Sequence, residues 1–480
     1  MVPNTTDIRT NLILKIKMAS TSKFMGPGIL LFLDQSLIAA INWLYWLVIS
    51  KVATTSEVGQ ATTVTSLILL IGTIIQLGLE YPLLKRTSTE RSNVFGTILV
   101  IQLVFTSACV PITIYAFNRL FDQSLHTFIW IAIVLLVLQG LTFVSRFALL
   151  GVSNVKIILL IDILGTVIKF LVAYILVALG FGAFGILLSF LSQSLIFAGI
   201  SLVIAKTTLG FSIGSMRYFK EIIKEGIANF PSKLSRMFIV SLSVVLLASF
   251  NLSSSEIGIY YVAMMISFII GTFASSMAYM VIPASSTSNK DLSTDSMRIS
   301  LSLTAPIIAG LLVAPKYALS LVGAQYISGY LVLLVLSIAV LPSTIVVNTI
   351  SKLNNLNQSR RLLTIGAILV LTFFAAFFSL VPLYSSLGAA FATLLAFICT
   401  SIPSIIWSGS DVRRYLRNSV IALISGVVAG YLIGLLLGQE ISPPFRIVLS
   451  IAVTMTIVMG LKNTSALEIR QIVREVISRK

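Results

Sequence analysis

The chain alternates between long apolar runs and short polar connections along its whole length. Many of the runs reach the roughly 20 residues that an α-helix needs to cross a bilayer. They are too long to be strands of a membrane barrel, and apolar and polar residues alternate in them too rarely. The pattern therefore predicts about fourteen membrane-spanning helices, near residues 27–49, 58–79, 94–117, 128–150, 155–179, 183–205, 227–250, 257–282, 299–323, 327–350, 362–381, 387–407, 418–438 and 445–461.

One pattern occurs twice, as SEVGQATTVTSLILLIGT at 56–73 and as SEIGIYYVAMMISFIIGT at 255–272. The two segments align without a gap at an offset of 199 residues and share six identities in eighteen positions. The offset joins the second predicted span to the eighth, so each repeat holds six spans and both repeats enter the membrane in the same direction. We therefore expect an all-α polytopic membrane protein with two parallel, pseudo-symmetric six-helix bundles plus two C-terminal helices. Such parallel repeats are one design of secondary transporters.

The polar connections suggest where the bundles end. The longest one contains SMRYFKEIIKEG, in which apolar and charged residues separate onto two faces of a helix, as in helices that lie along a membrane surface. The predicted division is an N-terminal six-helix bundle at 1–210, an interfacial linker helix at 211–226, a C-terminal six-helix bundle at 227–408, an extra helix pair at 409–461 and a cytoplasmic amphipathic tail at 462–480.

Composition and charge support a membrane protein and set its orientation. Hydrophobic residues make up 57% of the chain, charged residues only 10%, and the net charge is +17. Lys and Arg near span ends are retained in the cytoplasm. If both termini and every second connection are cytoplasmic, 26 Lys and Arg residues lie there and four lie opposite, namely Lys51, Arg119, Lys316 and Arg446. The basic charge then faces anionic lipid headgroups and requires no nucleic acid.

Charged residues inside the spans are candidates for function, because an ionisable group there costs about 2.5 to 3.5 kcal/mol. Six qualify: Asp34, Arg146, Asp162, Lys169, Lys233 and Arg236. Two structural explanations remain open. The three that lie near cytoplasmic span ends, Arg146, Lys233 and Arg236, could extend to the membrane interface. Asp162 and Lys169, seven residues apart on one helix face, could form a structural ion pair.

The repeat offset also relates charged residues in the two halves. It sets Asp34 against Lys233, so opposite charges would occupy equivalent places, and we hypothesise that they make or break contact as the bundles rock. It also pairs Glu57 with Glu256. These two glutamates are predicted to begin their helices, where a carboxylate complements the helix dipole.

The first repeat, with SEVG before its long second span and LGLEYPLLKR after it, resembles polysaccharide-biosynthesis flippases of the Wzx type. FPSKLSRMFIVSL leading into SSSEIGIYYVAMMI resembles the start of their second bundle. These flippases belong to the multidrug/oligosaccharidyl-lipid/polysaccharide (MOP) exporter superfamily. The resemblance implies a monomeric protein of the prokaryotic cell membrane. It would move a glycan on polyprenyl phosphate or pyrophosphate from the cytoplasmic to the outer leaflet by alternating access, with Na⁺ or H⁺ as a candidate coupling ion.

On that interpretation the six charged span residues would line a cavity that binds the phosphate groups and sugars of the substrate. The alternative is an ion-coupled multidrug or metabolite exporter of the same superfamily. An exporter of cationic drugs should have mainly carboxylates in its cavity, whereas four of the six residues here are cationic.

We expect no enzyme and no cofactor. The chain has one histidine, His126, and two cysteines, Cys109 and Cys399, which lie in different predicted spans. Neither a metal-ligand spacing nor a Cys/His pair can be drawn from them. No GxxxxGK[ST] motif occurs, so the sequence predicts transport that is not driven by ATP on this chain.

Overall fold

The computed structural model describes residues 37–152, 154–230, 236–285, 293–356, 358–436, 442–461 and 463. Over these ranges the chain is helical and contains no strand. Eleven helices among the described residues are long and apolar enough to cross a membrane. Two shorter apolar helices coincide with the predicted first and seventh spans, and the longest helix contains two predicted spans. The prediction of an all-α polytopic membrane protein is confirmed.

From residue 37 onward, the described part of the first half forms seven helices, and the connection that follows them forms an eighth. They are α1 (Leu37–Val52), α2 (Thr55–Gln76), α3 (Glu80–Leu120), the single turn α4 (Gln123–His126), α5 (Ile129–Gly151), α6 (Val155–Ala178), α7 (Gly182–Leu209) and α8 (Met216–Asn229). Helix α3 is much longer than the predicted span at 94–117, because it begins at Glu80 and includes the polar segment before the span.

The second half contains α9 (Arg236–Ser249), α10 (Ser254–Ser285), α11 (Ser293–Val313), α12 (Pro315–Val322), a 3₁₀ helix (Ala324–Gly329), α13 (Tyr330–Asn355), α14 (Ser359–Ser408), α15 (Ser410–Leu436) and α16 (Pro443–Gly460). Helices α15 and α16 pack on each other and on α11. The predicted domain limits stay a prediction, and the predicted amphipathic tail lies outside the described residues except at Asn463.

Helix α14 is continuous by hydrogen bonding but bends sharply at Ser385, whose φ of 50° and ψ of −130° are not helical. The bend separates the two spans predicted at 362–381 and 387–407. The connection between α6 and α7 also contains a φ of 50°, at Gly182, together with a second positive φ of 87° at Gly180. In both turns a glycine three residues further on, Gly185 or Gly388, packs closely against the helix before the turn. The two halves therefore share a closely packed glycine after this connection as well as the sequence pattern.

We call the membrane face with the basic connections at 85–91, 206–224 and 352–361 the cation-rich face, and the opposite one the cation-poor face. Which of them is cytoplasmic stays a prediction. Helix α8 lies at the cation-rich face and is fixed to the first half. Arg86 of α3 pairs with Glu225 of α8 and lies over the Tyr218 ring, 5.6 Å from its centroid.

The two halves meet where α2 packs against α9 and α10, and we call this surface the seam. At its cation-poor end the backbones touch: a Cβ atom on Gly59 would overlap the carbonyl oxygen of Ser254, and one on Gly258 would overlap that of Thr55. Both pairs of equivalent residues, 59 with 258 and 55 with 254, are 199 positions apart. The contact is therefore reciprocal, as in an interface with two-fold symmetry.

Further contacts close the same end of the seam. Thr55 Oγ1 lies 2.6 Å from Ser255 Oγ, and Gln325 Nε2 donates to the carbonyl oxygens of Ser50 and Ala53 at 2.9 and 3.1 Å. One large buried core contains residues of both halves, whereas a smaller core lies at the cation-rich end and, among the described residues, is formed by the first half and α8. The described contacts between the halves are thus strongest toward the cation-poor face.

Candidate functional site

Helix α6 carries two of the predicted site residues and has two distinct faces. Leu160, Leu164 and Leu171 are exposed, as expected for a surface in contact with lipid. Asp162 and Lys169 lie on the opposite face and are only 3% and 2% exposed. Their burial excludes a position toward lipid in this conformation, so both charges must be compensated inside the first half of the chain.

Asp162 is compensated by Arg146, which lies near the end of the neighbouring helix α5. Arg146 Nη1 is 2.7 Å from Asp162 Oδ1 and 2.5 Å from Oδ2. A cavity of about 10 Å³ beside them is lined by Thr142, Phe197 and Ser201 among others and has room for about one water molecule. The ion pair that sequence spacing allowed between Asp162 and Lys169 is thus made with a residue of another helix. In this conformation Arg146 pairs within the protein, and its role in a substrate cavity stays a prediction.

Lys169 lies about two turns from Asp162 along α6. Its Nζ atom donates a hydrogen bond to Asn42 Oδ1 of α1. It also lies 4.4 Å from the ring centroid of Tyr45 and 4.7 Å from that of Phe190. Aromatic faces attract a cation, and this attraction is stronger where water is excluded. Lys169 is therefore held by one amide oxygen and two rings, and the described part of the chain shows no carboxylate bound to it.

These contacts belong to a continuous set of polar side chains inside the first half, which we call the polar column. From the cation-rich to the cation-poor end it consists of the pairs Arg146–Asp162, Gln193–Thr166, Lys169–Asn42 and Tyr45–Ser189. The last three of these pairs contain residues that the sequence analysis did not select. Asn42 and Gln193 could have been found as amides within apolar spans, whereas Tyr45 and Ser189 give no such signal.

The polar column reaches the seam through aromatic rings. Tyr45 packs edge to face on Trp46 with 5.1 Å between centroids, and Trp46 packs on Tyr261 of α10 at 5.0 Å. Lys169 in the first half is therefore connected, through three rings in succession, to a helix of the second half.

The remaining predicted site residues cannot be placed in this column. Asp34 and Lys233 lie outside the described residues, so their suggested pairing stays a hypothesis. Arg236 is described only by its backbone, as the first residue of α9. Glu57 is confirmed as a helix-start residue, because its carboxylate and the Thr54 hydroxyl cap α2 reciprocally. Glu256 lies in the first turn of α10, and its carboxylate accepts a hydrogen bond from Ser386 N at 3.1 Å.

Residues 48–330, more than half of the chain, match the family described as polysaccharide biosynthesis protein. The chain belongs to this family. The predicted resemblance to Wzx-type proteins of the MOP superfamily is confirmed. No curated protein sequence matches the chain.

Solved structures show the same fold at low sequence identity. The lipid II flippase MurJ in an inward closed conformation is 14% identical, with a TM-score of 0.67 over 92% of this chain and 100% of that one. A multidrug resistance transporter of the MATE family and MOP superfamily matches in its inward-facing conformation, at 17% identity and a TM-score of 0.59 over 80% of this chain and 96% of that one. A multidrug resistance transporter of the MATE family in an outward-facing conformation is 14% identical, with a TM-score of 0.58 over 82% of this chain and 97% of that one. The family and these folds point to a transporter.

Proposed function

We propose that the protein is a flippase, not an enzyme, for a lipid-linked oligosaccharide, which it transfers between the leaflets of the cell membrane by alternating access. The observation that carries the proposal is the reciprocal contact of Gly59 and Gly258 at the cation-poor end of the seam. This contact closes the space between the two parallel bundles to the cation-poor face, and rocking of the bundles that opens it there would expose the same space to one membrane face at a time.

The substrate class rests on chemistry and on the family description. The family is described as polysaccharide biosynthesis protein, and the resemblance to Wzx-type flippases implies a glycan carried on polyprenyl phosphate or pyrophosphate. Two of the three charged residues described in the polar column are cations, Arg146 and Lys169, and such groups suit phosphate. Lys169 is enclosed by α1, α6 and α7 in this conformation, so it would reach the substrate only if α1 moves away from α6 and α7 when the bundles separate. In the predicted orientation, transport runs from the cytoplasmic to the outer leaflet.

The test is a flipping assay in reconstituted vesicles. A polyprenyl pyrophosphate oligosaccharide with a fluorescent label on its glycan is placed in both leaflets, and a quencher that cannot cross the membrane is added. Vesicles with the protein should lose nearly all fluorescence, whereas protein-free vesicles should lose only the outer half. Equal loss in both, together with ion-driven uptake of a cationic dye, would replace the flippase proposal by the multidrug exporter.

A further inference from the structure

Two glutamates at the cation-poor end of the seam do more than begin their helices. Glu57 of α2 and Glu256 of α10 are 199 positions apart, and each lies in the first turn of its helix. Their backbone N–H groups donate to the hydroxyls of Thr54 and Ser253 at 3.3 and 3.2 Å. Glu57 Oε2 completes its cap by accepting from Thr54 N at 2.8 Å. The other Glu57 oxygen and the Glu256 carboxylate contact further helices.

The Glu57 carboxylate lies against the connection between α6 and α7. A Cβ atom on Gly182, the first residue of α7, would overlap Glu57 Oε1. Gly182 has a φ of 50°, so its backbone conformation and the space beside it both favour glycine. The carboxylate therefore borders the N-termini of two helices, α2 and α7, and the positive end of each helix dipole favours a negative charge there.

Glu256 makes the corresponding contact in the second half. Its Oε1 atom accepts a hydrogen bond from Ser386 N at 3.1 Å. Ser386 directly follows the bend of α14 at Ser385, so this N–H group lies at the start of the second segment of α14. In each half, a carboxylate from the start of the seam helix thus contacts the start of that half's sixth span. We call α6 with α7, and the two segments of α14, the hairpins of the two halves.

The seam and the hairpins are contacted from opposite faces of the same helices. On α2, Gly59 packs against the other half, and Glu57, two residues earlier, points about 200° away around the helix axis. The same spacing separates Gly258 from Glu256 on α10. The first turns of each seam helix therefore connect the other half on one face with the hairpin of their own half on the opposite face.

We propose that Glu57 and Glu256 are positioning residues of alternating access. Each carboxylate holds the hairpin of its own half to the seam helix at the cation-poor face, so that separation of α2 from α10 moves the hairpins apart as well. The first hairpin includes α6, and Asp162 and Lys169 therefore move with α2 through Glu57. The inference rests on the proposed rocking of the bundles and assigns the residues that transmit it.

The role requires the length of the glutamate side chain. Aspartate would keep a negative charge at the helix N-termini but is one methylene shorter, so its carboxylate would not reach Gly182 or Ser386. Glutamine keeps the length and an acceptor oxygen but loses the charge. If the glutamates only complement helix dipoles, aspartate should replace them and glutamine should not. The positioning role predicts the opposite order.

The experiment measures how far the hairpins move when the seam is forced open. It uses the full chain with its natural cysteines replaced by serine and with spin labels on cysteines at Leu179 and Leu383, which are exposed near the two hairpin turns. Pulsed electron–electron resonance gives the distance between the labels. Each protein is measured with a closed seam and again with Gly59→Ala plus Gly258→Ala, which should separate α2 from α10.

Three pairs of substitutions are compared with the unmodified background. The test pair is Glu57→Asp with Glu256→Asp, and each single aspartate variant is also measured in case the pair fails to fold. The pair that keeps the side-chain length is Glu57→Gln with Glu256→Gln. The matched control is Thr54→Ala with Ser253→Ala, which removes the hydroxyls that cap both helices but leaves the carboxylates beside the hairpins.

We expect the seam substitutions to lengthen the label distance in the unmodified background, in the glutamine pair and in the control, but not in the aspartate pair. Flipping by the aspartate pair should fall about tenfold. Lengthening that survives in the aspartate variants, that is lost in the glutamine pair, or that is absent from the unmodified background would overturn the proposal. The distance is measured without substrate. A protein that flips no lipid-linked oligosaccharide would therefore refute the proposed function, whereas the distances would still decide this inference.

Discussion

Gly59 of α2 and Gly258 of α10 face each other across the seam, and a Cβ atom on either glycine would overlap backbone atoms of the other half. A Cβ on either glycine would lie 3.0 Å from the backbone nitrogen of the other and would overlap a carbonyl oxygen. Backbone atoms cannot rotate away as side chains do. The position of the two bundles relative to each other at this end therefore depends on the absence of two side chains.

Gly59→Ala and Gly258→Ala should each force α2 and α10 apart. The expected cost is about 1 to 3 kcal/mol of stability of the closed seam, as for other overpacked contacts. Accessibility of a cysteine introduced at Ser255 to a maleimide that cannot cross the membrane should rise severalfold. The control is Gly199→Ala in α7, where an added Cβ meets no atom within 4 Å. Labelling that stays as low in both seam variants as in the control would contradict the close contact.

A cysteine pair at Thr55 and Ser255 should lock the seam. The two hydroxyl oxygens are 2.6 Å apart, so the side chains already converge as a disulfide requires. In a background without Cys109 and Cys399, oxidation should crosslink the pair within one chain and stop transport, and a reductant should restore it. Each single cysteine is the control, since it should transport equally under both conditions. Full transport by the crosslinked protein would show that the seam does not open.

The repeat offset predicted equivalent helices in the two halves but not that they touch. An offset of 199 residues relates Gly59 to Gly258 in sequence, and only the three-dimensional arrangement puts them on a shared axis. The polar column shows a similar limit. Seven-residue spacing on α6 suggested Lys169 as partner of Asp162, yet the partner is Arg146 on α5. Periodicity reports the face of one helix, whereas packing decides which neighbouring helix presents its side chain there.

Reversal of the Arg146 and Asp162 charges tests their pairing. Arg146→Ala should lower stability by about 3 kcal/mol, because it leaves a buried carboxylate without its ion pair. Asp162→Asn should cost less, since the Arg146 side chain is 23% exposed and can reach water. Combining Arg146→Asp with Asp162→Arg should recover part of the loss. Thermal unfolding in detergent compares the unmodified protein, Arg146→Asp, Asp162→Arg and the double variant, and losses of the two single variants that simply add in the double variant would argue against direct coupling.

Substitutions of Lys169 should affect stability and transport differently. Lys169→Met keeps an unbranched side chain between Tyr45 and Phe190 but removes the charge. Because a buried charge is expensive, replacing it by an apolar group of similar volume should leave the unfolding temperature unchanged or raise it. Under the proposed function, flipping should nevertheless fall by tenfold or more (one decade is about 1.4 kcal/mol), since the cation is required when the bundles separate.

Two comparisons make this result specific to the charge. Lys206→Met, at an exposed position near the end of α7, should change neither the unfolding temperature nor the flipping rate. Lys169→Ala should lose stability as well, because it leaves a cavity among the rings. If Lys169→Met transports as the unmodified protein does, the charge has no part in the mechanism. If it is instead missing from membranes, Lys169 is needed to assemble α1, α6 and α7, and the hydrogen bond to Asn42 explains why its charge is retained.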